Sequence, residues 1–274
     1  MLSNFTEKDI TRAIAESFLK EFSDYVESDC IIVGAGPSGL LAGKDLAGAG
    51  RKVLIVERNN YLGGGFWSGG YLMNKLTVKE PAQQILRELE VPFTEYKKGL
   101  YVADAAFACS ALIREAARAG VKFLNMTSFD DVILRDKKMC GVVVNWTPIN
   151  YLPRAIAALD PVALEAKVVV DATGHDAKVS SRLQEAGFFK LKGMGPMWVD
   201  ESERAVVEYT QEIYPGLIIC GMAVSTVFGL PRMGPVFSSM LLSGRKAAGI
   251  ILEKLDKGLC PCDQRPASET NSAL

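Results

Sequence analysis

The sequence Asp29-Cys-Ile-Ile-Val-Gly-Ala-Gly-Pro-Ser-Gly39 constrains this chain more than any other stretch. A short apolar run ends in Gly34-x-Gly36-x-x-Gly39. A helix-like segment follows ("SGLLAGKDLAGAG"), then a second apolar run, "KVLIVE", closing on Glu57. Strand, glycine turn, helix and acid-terminated strand form the dinucleotide fingerprint. Each glycine has a physical reason. Gly34 permits the tight turn, Gly36 lets backbone approach a pyrophosphate, and Gly39 lets helix pack on sheet. The helix N-terminus offers free N–H groups to an anion. Glu57 suits two ribose hydroxyls and repels a 2′-phosphate, so NAD or FAD is expected over NADP.

The rest of the chain reads as an α/β fold. Ile10, Ile14, Phe18 and Phe22 recur every four residues, predicting an amphipathic helix over 6–25, with Thr6 and Asp9 as a capping box. Residues 80–90 and 105–119 read as helices. "VKFLNMT", "DDVILRD" and "MCGVVVNW" read as strands, the last two joined by a turn at "DKK". "EAKVVVDAT" and "PGLIICGM" are further strands, and a closing helix is expected from Pro235, at its first turn, to about Leu255. Strands alternating with helices predict a Rossmann-like, flavoprotein-type parallel sheet, and the middle hairpin a small antiparallel β insertion. Residues 1–256 are expected to form one dinucleotide-binding domain with an N-terminal helix, and 257–274 a mobile tail.

Lys plus Arg number 31 and Asp plus Glu 32, a net charge of −1. That balance argues against a nucleic-acid binder. No apolar run reaches the roughly 18 residues of a membrane helix, and the N-terminus lacks a signal-peptide pattern, so a cytoplasmic protein is expected. Cys30, Cys109, Cys140 and Cys220 sit in or beside apolar segments and read as small buried hydrophobes in a reducing compartment. Cys260 and Cys262 fall in a polar tail and suggest no role. A second glycine run, "YLGGGFWSGGYL", holds Gly63, Gly64, Gly65, Gly69 and Gly70 around Phe66 and Trp67. Backbone approaching a ligand is its expected purpose.

Two features bear on chemistry. His175, the only histidine of the 274 residues, follows an apolar strand in "DATGHDA". The late strand ends in Gly221-Met222, where FAD enzymes usually place an aspartate for the ribityl chain. The adenine half of a flavin site looks intact and the flavin half altered.

Taken in order, "GAGPSGL", "ER", "GGGFWSGG", "NWTP", "LDP", "DATGHDA" and "RMGPVFSSMLLSGRKAA" resemble the thiamine thiazole synthases over about residues 5–256. The resemblance implies a flavoprotein-like nucleotide domain assembled as a homo-octamer. It implies an enzyme that consumes NAD and glycine, releases nicotinamide, and closes an ADP-thiazole carboxylate with sulfur, supported by Fe(II). His175 and Asp160 would be the iron ligands and catalytic residues, drawn from different subunits. Arg232 would hold the glycine carboxylate. Gly34, Gly36, Ser38, Gly39, Glu57, Arg58, Gly65, Phe129 and Met222 would bind NAD. In eukaryotic members a cysteine two positions before the aspartate of "DP" donates its own sulfur. Here that position is Ala158, which points to the archaeal branch using free sulfide. That branch commonly has histidine there, so this chain departs from it too. Archaeal members are also described as ribose 1,5-bisphosphate isomerases. A flavoprotein oxidoreductase and a non-catalytic nucleotide-binding paralogue complete the alternatives.

Overall fold

The structure is a computed structural model and describes residues 3–259. Helix α1 (Glu7–Asp24) precedes β1 (Glu27–Val33), the glycine turn, α2 (Pro37–Gly48) and β2 (Val53–Val56). The second glycine run contains the short α3 (Gly65–Ser68). There follow β3 (Lys75–Lys79), α4 (Gln83–Glu88), β4 (Phe93–Lys97), β5 (Leu100–Asp104), α5 (Ala105–Ala119) and β6 (Lys122–Leu124). The hairpin β7 (Thr127–Arg135) and β8 (Lys138–Trp146) leads to β9 (Val162–Asp171) and α6 (Lys178–Glu185). The chain then forms α7 (Val199–Glu208), β10 (Glu212–Tyr214), β11 (Leu217–Ile219), α8 (Met222–Phe228) and α9 (Ser238–Asp256).

The main sheet runs β10-β11-β9-β1-β2-β6, parallel from β11 to β6. β9 shares one edge between two partners. Its first residues pair antiparallel with β8 (Val144↔Val162) and its last pair parallel with β11 (Ile219↔Asp171). The expected parallel sheet with an antiparallel insertion is therefore present. The hairpin turns through Asp136 and Lys137, both at positive φ. Along β1, Cys30 and Ile32 face one core with α2, α5 and α9, while Ile31 and Val33 face another with the hairpin and α6. That is the period-two alternation of a sheet covered on both sides. No helix among the described residues is long and apolar enough to cross a membrane.

At α1 the capping residues meet as expected, with Thr6 N and Oγ1 both donating to Asp9 Oδ2 (3.1 and 2.7 Å). Other expectations change. "VKFLNMT" is two strands, because Met126 turns at φ 53° and donates its N–H to Asn59 O. The closing helix starts at Ser238, not Pro235. Strand β3 captures the preceding residues: Thr77 Oγ1 donates to Pro235 O, and Phe237 N to Thr77 O. The separate sheet β3-β5-β4 and helices α6, α7 and α8 were not expected from the sequence. Cys30, Cys109 and Cys220 are buried and form no disulfide. Cys140 is buried too. Cys260, Cys262 and most of the expected tail lie outside the described residues.

Candidate active site

A cavity of about 920 Å³ opens where β1, β2 and β9 end, lined by Val33, Val56 and Ala172. This is where open α/β sheets bind ligands. Gly34 has φ +106°, and a Cβ there would lie 2.4 Å from Ala172 O. Gly39 packs for the same reason, its Cβ position 2.2 Å from Gly34 O. At Gly36, the N-cap of α2, a Cβ would meet nothing within 4 Å, and the residue lines the cavity. The three glycines thus divide into turn, packing and open approach, as the spacing predicted. Glu57 is buried beside them. Its Oε2 accepts from Ala35 N and its Oε1 from Asn59 N, both at 2.8 Å. Each oxygen keeps a second lone pair for a ligand hydroxyl.

The second glycine run lies along the cavity and also packs on protein, a second purpose that the sequence did not announce. Gly64, Gly65, Gly69 and Gly70 line the cavity. Gly63 does not line it and presses on protein, and Gly69 does both. A Cβ at Gly63 would sit 2.1 Å from Cys109 Sγ, and one at Gly69 2.4 Å from Lys75 O. Gly63 N also donates to Ala35 O at 2.7 Å, tying this run to the first turn.

His175 stands in a segment held from three sides. Asp171, 0 % exposed, ends β9. Its Oδ1 accepts from Thr173 N and Oγ1 (3.1 and 2.6 Å), and its Oδ2 from Ser180 N and Oγ (2.9 and 2.7 Å). Four donors offset the desolvation of a buried carboxylate. Thr226 Oγ1 donates to His175 O at 2.7 Å, and Arg58 Nη1 pairs with Asp176 Oδ2 at 3.1 Å. The main chain is fixed while the imidazole is exposed and lines the cavity. Among the described residues no hydrogen bond occupies it. A buried aspartate closing an apolar strand was the signal for this clamp, and sequence reasoning missed it.

Of the other expected site residues, Ser38, Arg58, Phe129, Met222 and Arg232 line the same cavity. So do Ser128, Thr147 and Asn150, which sequence reasoning did not single out; Asn150 Nδ2 donates to Ser128 Oγ. Gly39 packs behind the cavity and does not line it. Asp160 is exposed between the hairpin and β9 and does not line it either. Among the described residues no group of three His, Cys, Asp or Glu side chains could hold a metal ion. One free imidazole is not an iron site, so the donors of a single chain do not fit Fe(II). No described cysteine lines the cavity. Burial pushes the Cys109 thiol up to about 12, and burial followed by the Asp171 charge pushes Cys220 up as well. Neither is a thiolate near neutral pH.

Residues 11–237 match the model of the Thi4 family. The chain is 52 % identical over 255 residues to a thiamine thiazole synthase of Aeropyrum pernix, covering 93 % of this chain and 94 % of that one. It is 45 % identical over 247 residues to the thiamine thiazole synthase of Pyrococcus furiosus, covering 90 % and 97 %. The crystal structure of Thermovibrio ammonificans THI4 superposes with a TM-score of 0.88 at 40 % identity, covering 93 % of this chain and all of that one. Matched nearly end to end in sequence and in fold, with the glycine turn and Glu57 in place, the chain belongs to the Thi4 family.

Proposed function

We propose that this chain is a thiamine thiazole synthase that builds an ADP-thiazole carboxylate from NAD, glycine and sulfide, releasing nicotinamide. One observation carries the reading. A single cavity is lined by Gly36 and Glu57, by an exposed imidazole, His175, and by an exposed guanidinium, Arg232, and by no described cysteine. The amides opening α2 receive the pyrophosphate, and Glu57 accepts the adenosine ribose hydroxyls. Ser38, Arg58, Gly65, Phe129 and Met222 complete the nucleotide walls. Arg232 takes the glycine carboxylate through its planar fork. With Ala158 at the donor position of the suicidal relatives, sulfur enters as free sulfide, and the enzyme turns over repeatedly.

His175 and Asp160 are the proposed metal ligands. Because one chain does not bring them together, the Fe(II) reading requires Asp160 from another subunit of a homo-oligomer. The names of the relatives, thiamine thiazole synthases, support the overall activity.

The test starts with the purified protein, denatured, and any released nucleotide identified by mass spectrometry. An ADP-thiazole species or an ADP-ribose–glycine adduct is expected. FAD would overturn the proposal. If nothing is released, the protein is incubated anaerobically with NAD, glycine, Fe(II) and sulfide, and nicotinamide is expected. Its absence, together with turnover of ribose 1,5-bisphosphate, would transfer the chain to the isomerase reading.

A further inference from the structure

We infer that Ser202, a residue outside the cavity lining, is a positioning residue for Arg232 and thereby sets how well the enzyme uses glycine. The inference rests on the proposed role of Arg232. The geometry around that residue is unlike an ordinary surface arginine. Its side chain is exposed at the cavity, and among the described residues no hydrogen bond or ion pair occupies the guanidinium. Its main chain, by contrast, is anchored at every polar atom. Arg232 N donates to Pro196 O, and Trp198 N donates to Arg232 O, both at 3.1 Å. These two bonds pair residues 197 and 232 as a parallel bridge.

The residues on either side are held as well. On one side, Ser202 Oγ donates to Pro231 O at 2.7 Å, and Ser202 is 0 % exposed. On the other, Met233 is buried among Val206, Ile219 and Val224. Ser202 sits in the first turns of α7, and its own N–H donates to Trp198 O at 3.0 Å. One serine therefore links the helix, the 196–198 strand-like segment and the carbonyl next to Arg232. The next residue, Glu203, extends the hold: it accepts from Ser239 N and Oγ at the start of α9. A bidentate carboxylate contact depends on the fork being correctly aimed, and displacement by about 1 Å can cost on the order of 10²-fold in rate. Removing the Ser202 hydroxyl leaves Pro231 O without its buried donor and frees the segment beside the fork.

The experiment uses the full chain and measures labelled glycine entering nucleotide-bound product, with glycine and NAD varied separately. Ser202→Ala is expected to raise the half-saturating glycine concentration about tenfold. The half-saturating NAD concentration should stay within about twofold, because the Glu57 end of the cavity is untouched. A general loss of folding would move both substrates together, so the split identifies positioning. If Ser202→Ala does not fold, Ser202→Cys keeps the volume with a weaker donor and is expected to show a smaller rise of the same kind. Arg232→Ala is the reference. Should it raise the glycine requirement while both Ser202 variants leave it unchanged, the positioning inference is overturned and the role of Arg232 stands. Should Arg232→Ala leave glycine dependence unchanged, the glycine assignment falls and the inference with it.

Discussion

The two glycine runs look alike in sequence and behave differently in the fold. In the first, the spacing announces the role of each glycine, even though the wall that crowds Gly34 is the distant Ala172: Gly34 turns, Gly36 lies open and Gly39 packs. The partners of Gly39 include Gly34 itself, five residues away, so the spacing carries the geometry. In the second, Gly63 is confined by Cys109 on α5, Gly69 by Lys75 at β3, and Gly70 by Pro235 before α9. Those partners are distant in sequence, and no spacing announces them. A glycine run therefore reports that backbone is crowded or strained somewhere nearby. Whether a ligand or the protein itself does the crowding is a tertiary fact.

Substitutions sharpen the contrast. The largest loss of stability is expected for Gly34→Ala, which meets both a left-handed φ and a backbone oxygen that cannot move aside. Strain and overpacking together should cost about 4 kcal/mol in denaturant unfolding. Gly63→Ala comes next at about 3 kcal/mol, for it shares the unfavourable φ but meets the sulfur of a side chain. Here the partner can be removed. In a double-mutant cycle with Cys109→Ala, about 1–2 kcal/mol of that loss should be recovered, and strict additivity would show that Cys109 is not the confining group. At the open positions the cost passes from stability to binding and activity. Gly36→Ala should leave stability within about 0.5 kcal/mol while weakening nucleotide binding about tenfold or more in calorimetry, since the new methyl occupies ligand space. Smallest in stability terms is His175→Ala, again within about 0.5 kcal/mol, because Thr226 bonds its carbonyl and not its ring. Product formation by that variant should nevertheless be abolished; full activity would remove His175 from the chemistry.

Legibility from sequence followed the same division between local and remote causes. The parallel core, the first nucleotide turn, Glu57 and the β7–β8 hairpin were readable, because periodicity and short-range turn chemistry encode them. The sheet β3-β5-β4 was not: its strands are short, β4 is largely exposed, and only the five residues of β3 alternate cleanly between polar and apolar. The start of α9 is not legible either, because β3, some 160 residues before it, takes residues 235–237 as a partner. At the site, residues of motifs were found one by one, and ten of the twelve named lie around one cavity. What motifs did not reveal were the groups that hold them: Asp171 under His175, and Ser202 beside Arg232. Such residues touch main chain, and main-chain contacts leave little trace in side-chain spacing.

The pairing of β9 with β1 has a consequence for the order of folding. Residue 30 on β1 pairs with residue 168 on β9, and the wall against which Gly34 turns is Ala172. The fingerprint is complete within the first 57 residues of the chain, yet the pocket it names cannot close until β9 has been synthesised and docked. Contacts so far apart in sequence carry a large loop-closure entropy and slow folding. During translation the apolar β1 and β2 wait, half of their sheet missing, for a strand made more than a hundred residues later.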